Sequence, residues 1–285
     1  MKSKFLILAI SLFPCVLLES FDKEFYKSRL NPQFYYIMDS RTAGMFSVWY
    51  DVLALVFSYE SSLVNGIEVS FKDSNGLYLQ SNYGDNWWNY YCEPIKYGNI
   101  RNLHYVTGDP SRHPGYMIGK ILRSEVKVLI DKYIHIKPFI LEKVNEFQDE
   151  HFLENYIIAI HYRGTDKITS REARYVSYNE VISAIEKVIK KNTNAQYKLF
   201  IATDEQNFLD YMIQKYGDRV CFTNATRSKN DQPLHVGKSE PYKQGLEAIT
   251  DMLLLSRGDY LIRTLSNLSA WSSYFNPDIP VLTIE

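Results

Sequence analysis

Apolar residues recur at two different spacings along this chain, and the change from one to the other divides it. In residues 44–64, Val48, Val52, Leu55, Val56 and Tyr59 follow helical spacing with no proline. That pattern predicts a buried helix entered through a short loop at Gly44. Residues 33–38 read as a strand before it. Residues 67–71 alternate like a second, closed by the turn-forming Asp73-Ser74-Asn75-Gly76. Residues 97–114, with Gly98, Gly108, Pro110 and Pro114, read as loop. Ile118, Ile121, Leu122, Val126 and Leu129 then share one face of a helix over 115–136, and another helix follows Pro138 to about Phe147. The polar run Gln148-Asp149-Glu150-His151 marks a boundary, giving an N-terminal α/β domain at 21–150 and a C-terminal one at 151–285.

Beyond the boundary the alternation is regular. Strands are expected at 156–160, 198–202, 220–222 and 260–262, with helices at 178–191, from about 205 to 216, at 245–256 and after Asn267. Strands alternating with helices at this spacing imply a parallel sheet wound with helices, whose ligand loops leave the carboxyl ends of the strands. The stretch 157–167, IIAIHYRGTDK, is the clearest case: an apolar run that empties into His161, Arg163, Asp166 and Lys167.

Arg163, just past a strand, is placed to bind a phosphate through its planar fork and neutralise a diphosphate leaving group. Ser266 and Asn267, at the start of the last helix, add hydroxyl and backbone N–H donors on the same rim. Asp251 precedes Met252-Leu253-Leu254-Leu255. It is read either as a carboxylate that accepts two N–H bonds from a guanine edge or as a helix carboxylate facing water. Asp204, after the strand ending at Ala202, is either a ligand or an N-cap for the next helix.

Composition narrows the classes. A formal net charge of -1 argues against a polyanion-binding surface, so no nucleic-acid partner is expected. The chain has no G-x-G-x-x-G after a strand and no P-loop, which disfavours a dinucleotide dehydrogenase or a phosphate-cleaving NTPase. It also has no Asp-x-Asp clamp for a metal–diphosphate, so no metal cofactor is expected and leaving-group charge falls to arginine and backbone donors. Lys2 and Lys4 before an apolar run at 5–18 predict a signal peptide or membrane anchor over 1–20. With it come a secretory or Golgi lumen, or a bacterial envelope, as the location, with the cytoplasm as the alternative. Three cysteines, Cys15, Cys92 and Cys221, make no disulfide framework. The aromatic stretch 86–94, NWWNYYCEP, reads as packing near a cleft or, less simply, as a platform for a sugar ring.

His161-Tyr162-Arg163-Gly164-Thr165-Asp166-Lys167 resembles the H-x-R-x-T-D-K element of the superfamily of α1,6-fucosyltransferases, nodulation fucosyltransferases and protein O-fucosyltransferases. Ile201-Ala202-Thr203-Asp204 is similar to its strand-end A-T-D, and residues 246–266 to its helix with an internal Asp followed by a strand and a serine loop. The resemblance covers roughly 155–275. It implies a GT-B fold, two Rossmann-like domains with parallel sheets facing a cleft, and inverting, metal-independent transfer from GDP-fucose to a glycan or glycoprotein acceptor. Arg163 and Ser266 would then hold the β-phosphate, and His161 and Asp251 the guanosine. Asp166 and Lys167 would organise the donor, and Glu172 would be the base, although Glu172 between Arg171 and Arg174 also reads as a surface ion pair. The family's downstream tyrosine has no clean counterpart: Val181 occupies that register and Tyr178 is nearby. A transferase for another nucleotide sugar and a non-catalytic glycan- or nucleotide-binding homologue are the alternatives.

Overall fold

The structure, a computed structural model, describes residues 30–72, 77–107, 122–164, 174–191, 196–228 and 240–285. The N-terminal apolar segment and the turn at 73–76 lie outside them. In the first half, β1 (Tyr35–Asp39) leads through α1 (Met45–Glu60) to β2 (Gly66–Val69). Buried side chains ring most of α1, from Met45 to Ser58. A helix apolar on nearly every face belongs between layers rather than on a surface. β1 pairs in parallel with β2 on one side and with β4 (Leu103–Thr107) on the other, while β3 (Lys96–Gly98) adds antiparallel to β2. The sheet order is β3-β2-β1-β4.

The strands β3 and β4 fall in the stretch expected to be loop. Leu103 is 48% exposed and Tyr105 73% exposed, and both strands sit at sheet edges. Neither therefore carries the apolar alternation of a half-buried strand; pairing to β1 and β2 makes them strands. The short helix α2 (Trp88–Tyr91) occupies the aromatic stretch, and its Trp88, like Trp87 before it, is buried in the core. Next come α3 (Arg123–Tyr133) and α4 (Pro138–His151). Pro138 opens α4 at a position where its missing N–H costs nothing.

The second half runs β5 (Tyr156–Tyr162), α5 (Tyr178–Lys191), β6 (Tyr197–Thr203), α6 (Gln206–Tyr216), β7 (Val220–Cys221), α7 (Pro241–Ser256), β8 (Tyr260–Thr264), α8 (Asn267–Phe275) and β9 (Val281–Ile284). All five strands are parallel, in the order β7-β6-β5-β8-β9. Ser177 and Glu180 start α5 as a reciprocal capping pair: the Ser177 N–H donates to Glu180 Oε2 at 2.9 Å, and the Glu180 N–H to Ser177 Oγ at 3.4 Å. Strand alternation splits β5 between two cores. Ile157 and Ala159 pack with α1, α3, α4, α7 and α8, whereas Ile158, Ile160 and Tyr162 pack with α5 and α6.

The larger core continues from the first half into the second. Trp49 of α1 has the Trp88 and Trp271 rings at 5.4 and 5.3 Å, and Trp271 Nε1 donates to the Phe46 carbonyl at 3.0 Å. Arg123 Nη1 donates to the Ile279 carbonyl at 2.8 Å. A Cβ on Gly245 of α7 would collide with the Tyr91 hydroxyl and crowd Met45 Cε, so glycine permits this close approach between the halves. Among the described residues no helix is long and apolar enough to cross a membrane.

Candidate active site

In the second sheet, β6 and β7 lie to one side of β5 and β8 and β9 to the other. The crevice at the carboxyl ends of β5 and β8 is where such a sheet leaves room for a ligand. The end of β5 delivers Arg163 and Gly164 into it. The Arg163 N–H donates to Thr264 Oγ1, at the end of β8, at 3.0 Å. Arg163 Nε contacts Asp204 Oδ2, just past β6, at 3.2 Å, and the Gly164 N–H donates to Asp204 Oδ1 at 3.1 Å. Three strand ends are thus tied together, two of the bonds through backbone N–H groups and one through the Arg163 guanidinium. With side-chain exposures of 21% for Arg163 and 7% for Asp204, the pair is shielded from the screening that weakens surface ion pairs. Asp204 engages the Nε edge and so sets the direction of the arginine fork. The N-cap position of α6 belongs to Glu205, not Asp204, so the capping alternative is set aside.

Glu205 is buried beside this group and accepts a hydrogen bond from the Tyr178 hydroxyl. Burial, then the Glu205 carboxylate, holds that hydroxyl well above the ordinary tyrosine range. A Cβ on Gly164 would meet the Glu205 carboxylate, so the two residues pack closely here. On the other flank, Ser266 is the buried, extended N-cap residue of α8, and half-buried Asn267 begins the helix. The N-terminus of α8, where backbone N–H groups favour an anion, therefore opens directly after β8 on the rim that carries Arg163.

His161 is buried within β5, in register with Ala202 and Arg263. Strand alternation places it on the face of Ile157 and Ala159, which is the face covered by α7. Asp251, on α7, is also buried and accepts from Thr223 Oγ1 at 2.6 Å. Burial pushes its carboxyl up to about 6, against the Thr223 hydrogen bond and the nearby Arg227 charge. Asp251 is therefore not the solvated helix carboxylate of the alternative reading. Arg227 donates from Nη1 to the Ala225 carbonyl at 2.9 Å and from Nη2 to the Thr223 carbonyl at 2.8 Å, while its Nε has no hydrogen-bond partner among the described residues. Glu247, a turn before Asp251, accepts from the Thr226 N–H at 3.0 Å. Two carboxylates of α7 thus lace down the loop after β7. Arg263 has a different role: bonds from Nε to Thr283 Oγ1 at 3.1 Å and from Nη1 to the Ser269 carbonyl at 2.9 Å make it a strut between β8, β9 and α8.

The first half approaches α7 at the start of α1, where Met45 and Tyr91 lie against Gly245. The Met45 N–H, at the start of α1, donates to the Tyr78 hydroxyl at 3.1 Å. Burial pushes that hydroxyl up, while the Met45 N–H bond and then the Arg163 charge pull it partly back. Asp166, Lys167 and Glu172 lie outside the described residues. Sequence reasoning passed over Glu205, Thr264, Thr223 and Arg227. Their only signal is position, each following a short apolar strand. Among the described residues no group of three His, Cys, Asp or Glu side chains is placed to hold a metal ion.

The nodulation protein Z (NodZ) family matches residues 123–282, from α3 into β9. No curated protein sequence matches the chain. Among solved structures it is similar to NodZ alpha-1,6-fucosyltransferase co-crystallised with GDP, at 17% identity over 88% of this chain and 94% of that one, with a TM-score of 0.57. Fucosyltransferase NodZ from Bradyrhizobium is similar at 17% identity, 86% and 94% coverage and a TM-score of 0.55. POFUT1 in complex with GDP is similar at 10% identity, 89% and 99% coverage and a TM-score of 0.54. At these identities the likeness shows the fold, the GT-B arrangement of two sheet-bearing halves about a cleft. Since the family match spans more than half of the chain, the protein belongs to the NodZ family and is a fucosyltransferase-like glycosyltransferase.

Proposed function

We propose that this protein transfers fucose from GDP-fucose to a hydroxyl of a glycan or glycoprotein, with inversion and without a metal. The observation that carries the reading is the Arg163–Asp204–Thr264 arrangement at the crevice between β5 and β8. It presents a preorganised cation where a diphosphate leaving group would develop charge, and Ser266, Asn267 and the first N–H groups of α8 join it. GDP bound to the NodZ and POFUT1 structures supports the same donor here.

In this reading Asp251 accepts the guanine N–H edge, its carboxylate aimed by Thr223 and kept ionised by Arg227, while His161 contacts the nucleoside from the same face of the sheet. The acceptor oxygen attacks the anomeric carbon as its bond to the β-phosphate breaks. GDP leaves with the negative charge, and a carboxylate takes the hydroxyl proton. We assign that base to Glu172, with Asp166 and Lys167 organising the donor, on the resemblance of the motif that ends at Lys167. The lysine-led apolar start supports a secretory or envelope location. Release of GDP from GDP-fucose tests the reading. Wild type should turn over and Glu172→Gln should be slowed at least tenfold. Unchanged turnover in Glu172→Gln removes it as base, and no turnover in wild type removes the donor assignment.

A further inference from the structure

Three tyrosines of the first half, Tyr83, Tyr90 and Tyr91, and Tyr242 of α7's first turn build a feature that the donor site does not use. Tyr83 lies flat on Tyr242, with ring centroids 3.8 Å apart and planes 4° from parallel. Tyr242 in turn stacks toward Tyr91 at 5.7 Å and 18°, and Tyr90 meets Tyr242 at 5.8 Å and 60°. Tyr90 and Tyr91 are buried, but Tyr83 is 49% exposed.

The exposed ring is held firmly. The Tyr90 hydroxyl reaches the Gln80 carbonyl at 2.9 Å and the Gly84 carbonyl at 2.7 Å, on either side of the Ser81–Tyr83 turn. The Tyr83 N–H donates to the Gln80 carbonyl at 2.9 Å, and Gly84 closes the turn at φ +120°. Gln80 Oε1 accepts from the Tyr242 N–H at 3.1 Å, tying the turn to α7. Tyr242 covers one face of Tyr83 and the Tyr90 ring tilts toward it at 6.1 Å, yet half of the residue is left to water.

The stack is continuous with the start of α1: the Tyr91 hydroxyl donates to the Tyr242 carbonyl at 2.9 Å, Gly245 packs Tyr91 against Met45, and the Met45 N–H donates to the Tyr78 hydroxyl at 3.1 Å. Exposed polar residues flank the two stacked tyrosines in the sequence: Ser81, Asn82 and Asp85 around Tyr83, and Lys243 after Tyr242. Asp85 and Lys243 pair with Lys72 and Glu240 at 3.0 and 3.5 Å, in surface ion pairs weak enough to exchange for a ligand's hydroxyls. A fixed aromatic face with amide, hydroxyl, carboxylate and ammonium groups around it has the chemistry of a pyranose site. The ring packs on the sugar's C–H face while the polar rim meets its hydroxyls.

We propose that Tyr83 is the floor of an acceptor subsite that binds one sugar unit of an oligosaccharide. Its role in the reaction rests on the transferase reading above, but its affinity for sugar does not require GDP. The full chain is titrated separately with GDP and with tetrasaccharides of glucose, N-acetylglucosamine and mannose, as wild type, Tyr83→Ala and Tyr83→Trp. At least one tetrasaccharide should bind wild type, bind Tyr83→Ala about five- to tenfold more weakly, and be retained by Tyr83→Trp, with GDP affinity equal in all three. Equal GDP affinity also shows that the variants are folded. Sugar affinity unchanged in Tyr83→Ala, or no tetrasaccharide binding to wild type, overturns the subsite. Sugar binding that follows Tyr83 in a protein that ignores GDP upholds the subsite and overturns the donor reading instead.

Discussion

Each sheet of this protein reverses its strand order beside a central strand, yet the two rims use their polar residues in opposite ways. At the first, after β1, Asp39 Oδ1 accepts the Ser40 and Lys72 N–H groups at 2.7 and 2.8 Å. Arg41 is bound to Asp51 at 2.8 Å and to Ser47 Oγ at 2.9 Å, and Ser40 Oγ accepts from Trp87 Nε1 at 3.2 Å. These bonds run from the rim back into the scaffold. At the second rim, Arg163, Gly164, Asp204 and Thr264 bond to one another across three strand ends. That set holds a cation in place at the crevice instead of anchoring a loop. A reversal of strand order thus supplies a frame in one half and a charged site in the other, and the difference lies in where the hydrogen bonds go.

The comparison breaks most sharply at the two arginines. Arg163→Ala should cost ~2–4 kcal/mol of transition-state stabilisation in GDP release from GDP-fucose, measured on the folded protein. Arg41→Ala, which breaks an ion pair of similar burial, should lose about 1.5–3 kcal/mol of stability in denaturant unfolding while GDP affinity in the folded protein is kept. If folded Arg41→Ala loses GDP affinity as Arg163→Ala does, the division between frame and site fails. Gly245→Ala probes the join between the halves: overpacking against Tyr91 and Met45 should destabilise by about 1–3 kcal/mol. Wild-type stability in Gly245→Ala would show that this contact yields easily.

The smallest expected effect is at Asp251. Its carboxyl titrates at about 6, raised from an ordinary 3.8 by burial. Between those values the folded state binds more protons than the unfolded one, so this group's contribution to stability falls as pH rises through that window and is constant above it. Asp251→Asn should therefore gain stability at neutral pH, by up to ~2 kcal/mol, while losing preference for GDP over UDP. In wild type, GDP affinity should rise between about pH 5 and 7 as the carboxylate forms. A flat affinity profile would remove Asp251 from base recognition.

The second half was the more legible in sequence because β5, β6 and β8 are buried and read as short apolar runs, each ending in a polar residue. Arg163 and Ser266 could be singled out on that basis, and Asp251 from the apolar run that follows it in its helix. The first half hid β3 and β4, whose exposed edge residues carry no period, and β9 went unread because its residues are only half-buried. The partners of the site residues were illegible for another reason. Thr223 lies 28 residues from Asp251, and Thr264 lies 101 residues from Arg163. Local pattern carries no information about such pairings, which the parallel sheet creates. The tyrosine stack is similar: Tyr83 and Tyr242 meet only because α7 packs beside α2.

The central claim is that the second rim binds GDP through Arg163, and calorimetric titration of GDP and UDP into wild type and Arg163→Ala tests it most directly. The account predicts that wild type binds GDP at least tenfold more tightly than UDP and that Arg163→Ala loses most of its affinity for both. GDP and UDP binding equally well, or an Arg163→Ala protein that binds GDP as wild type does, would contradict it.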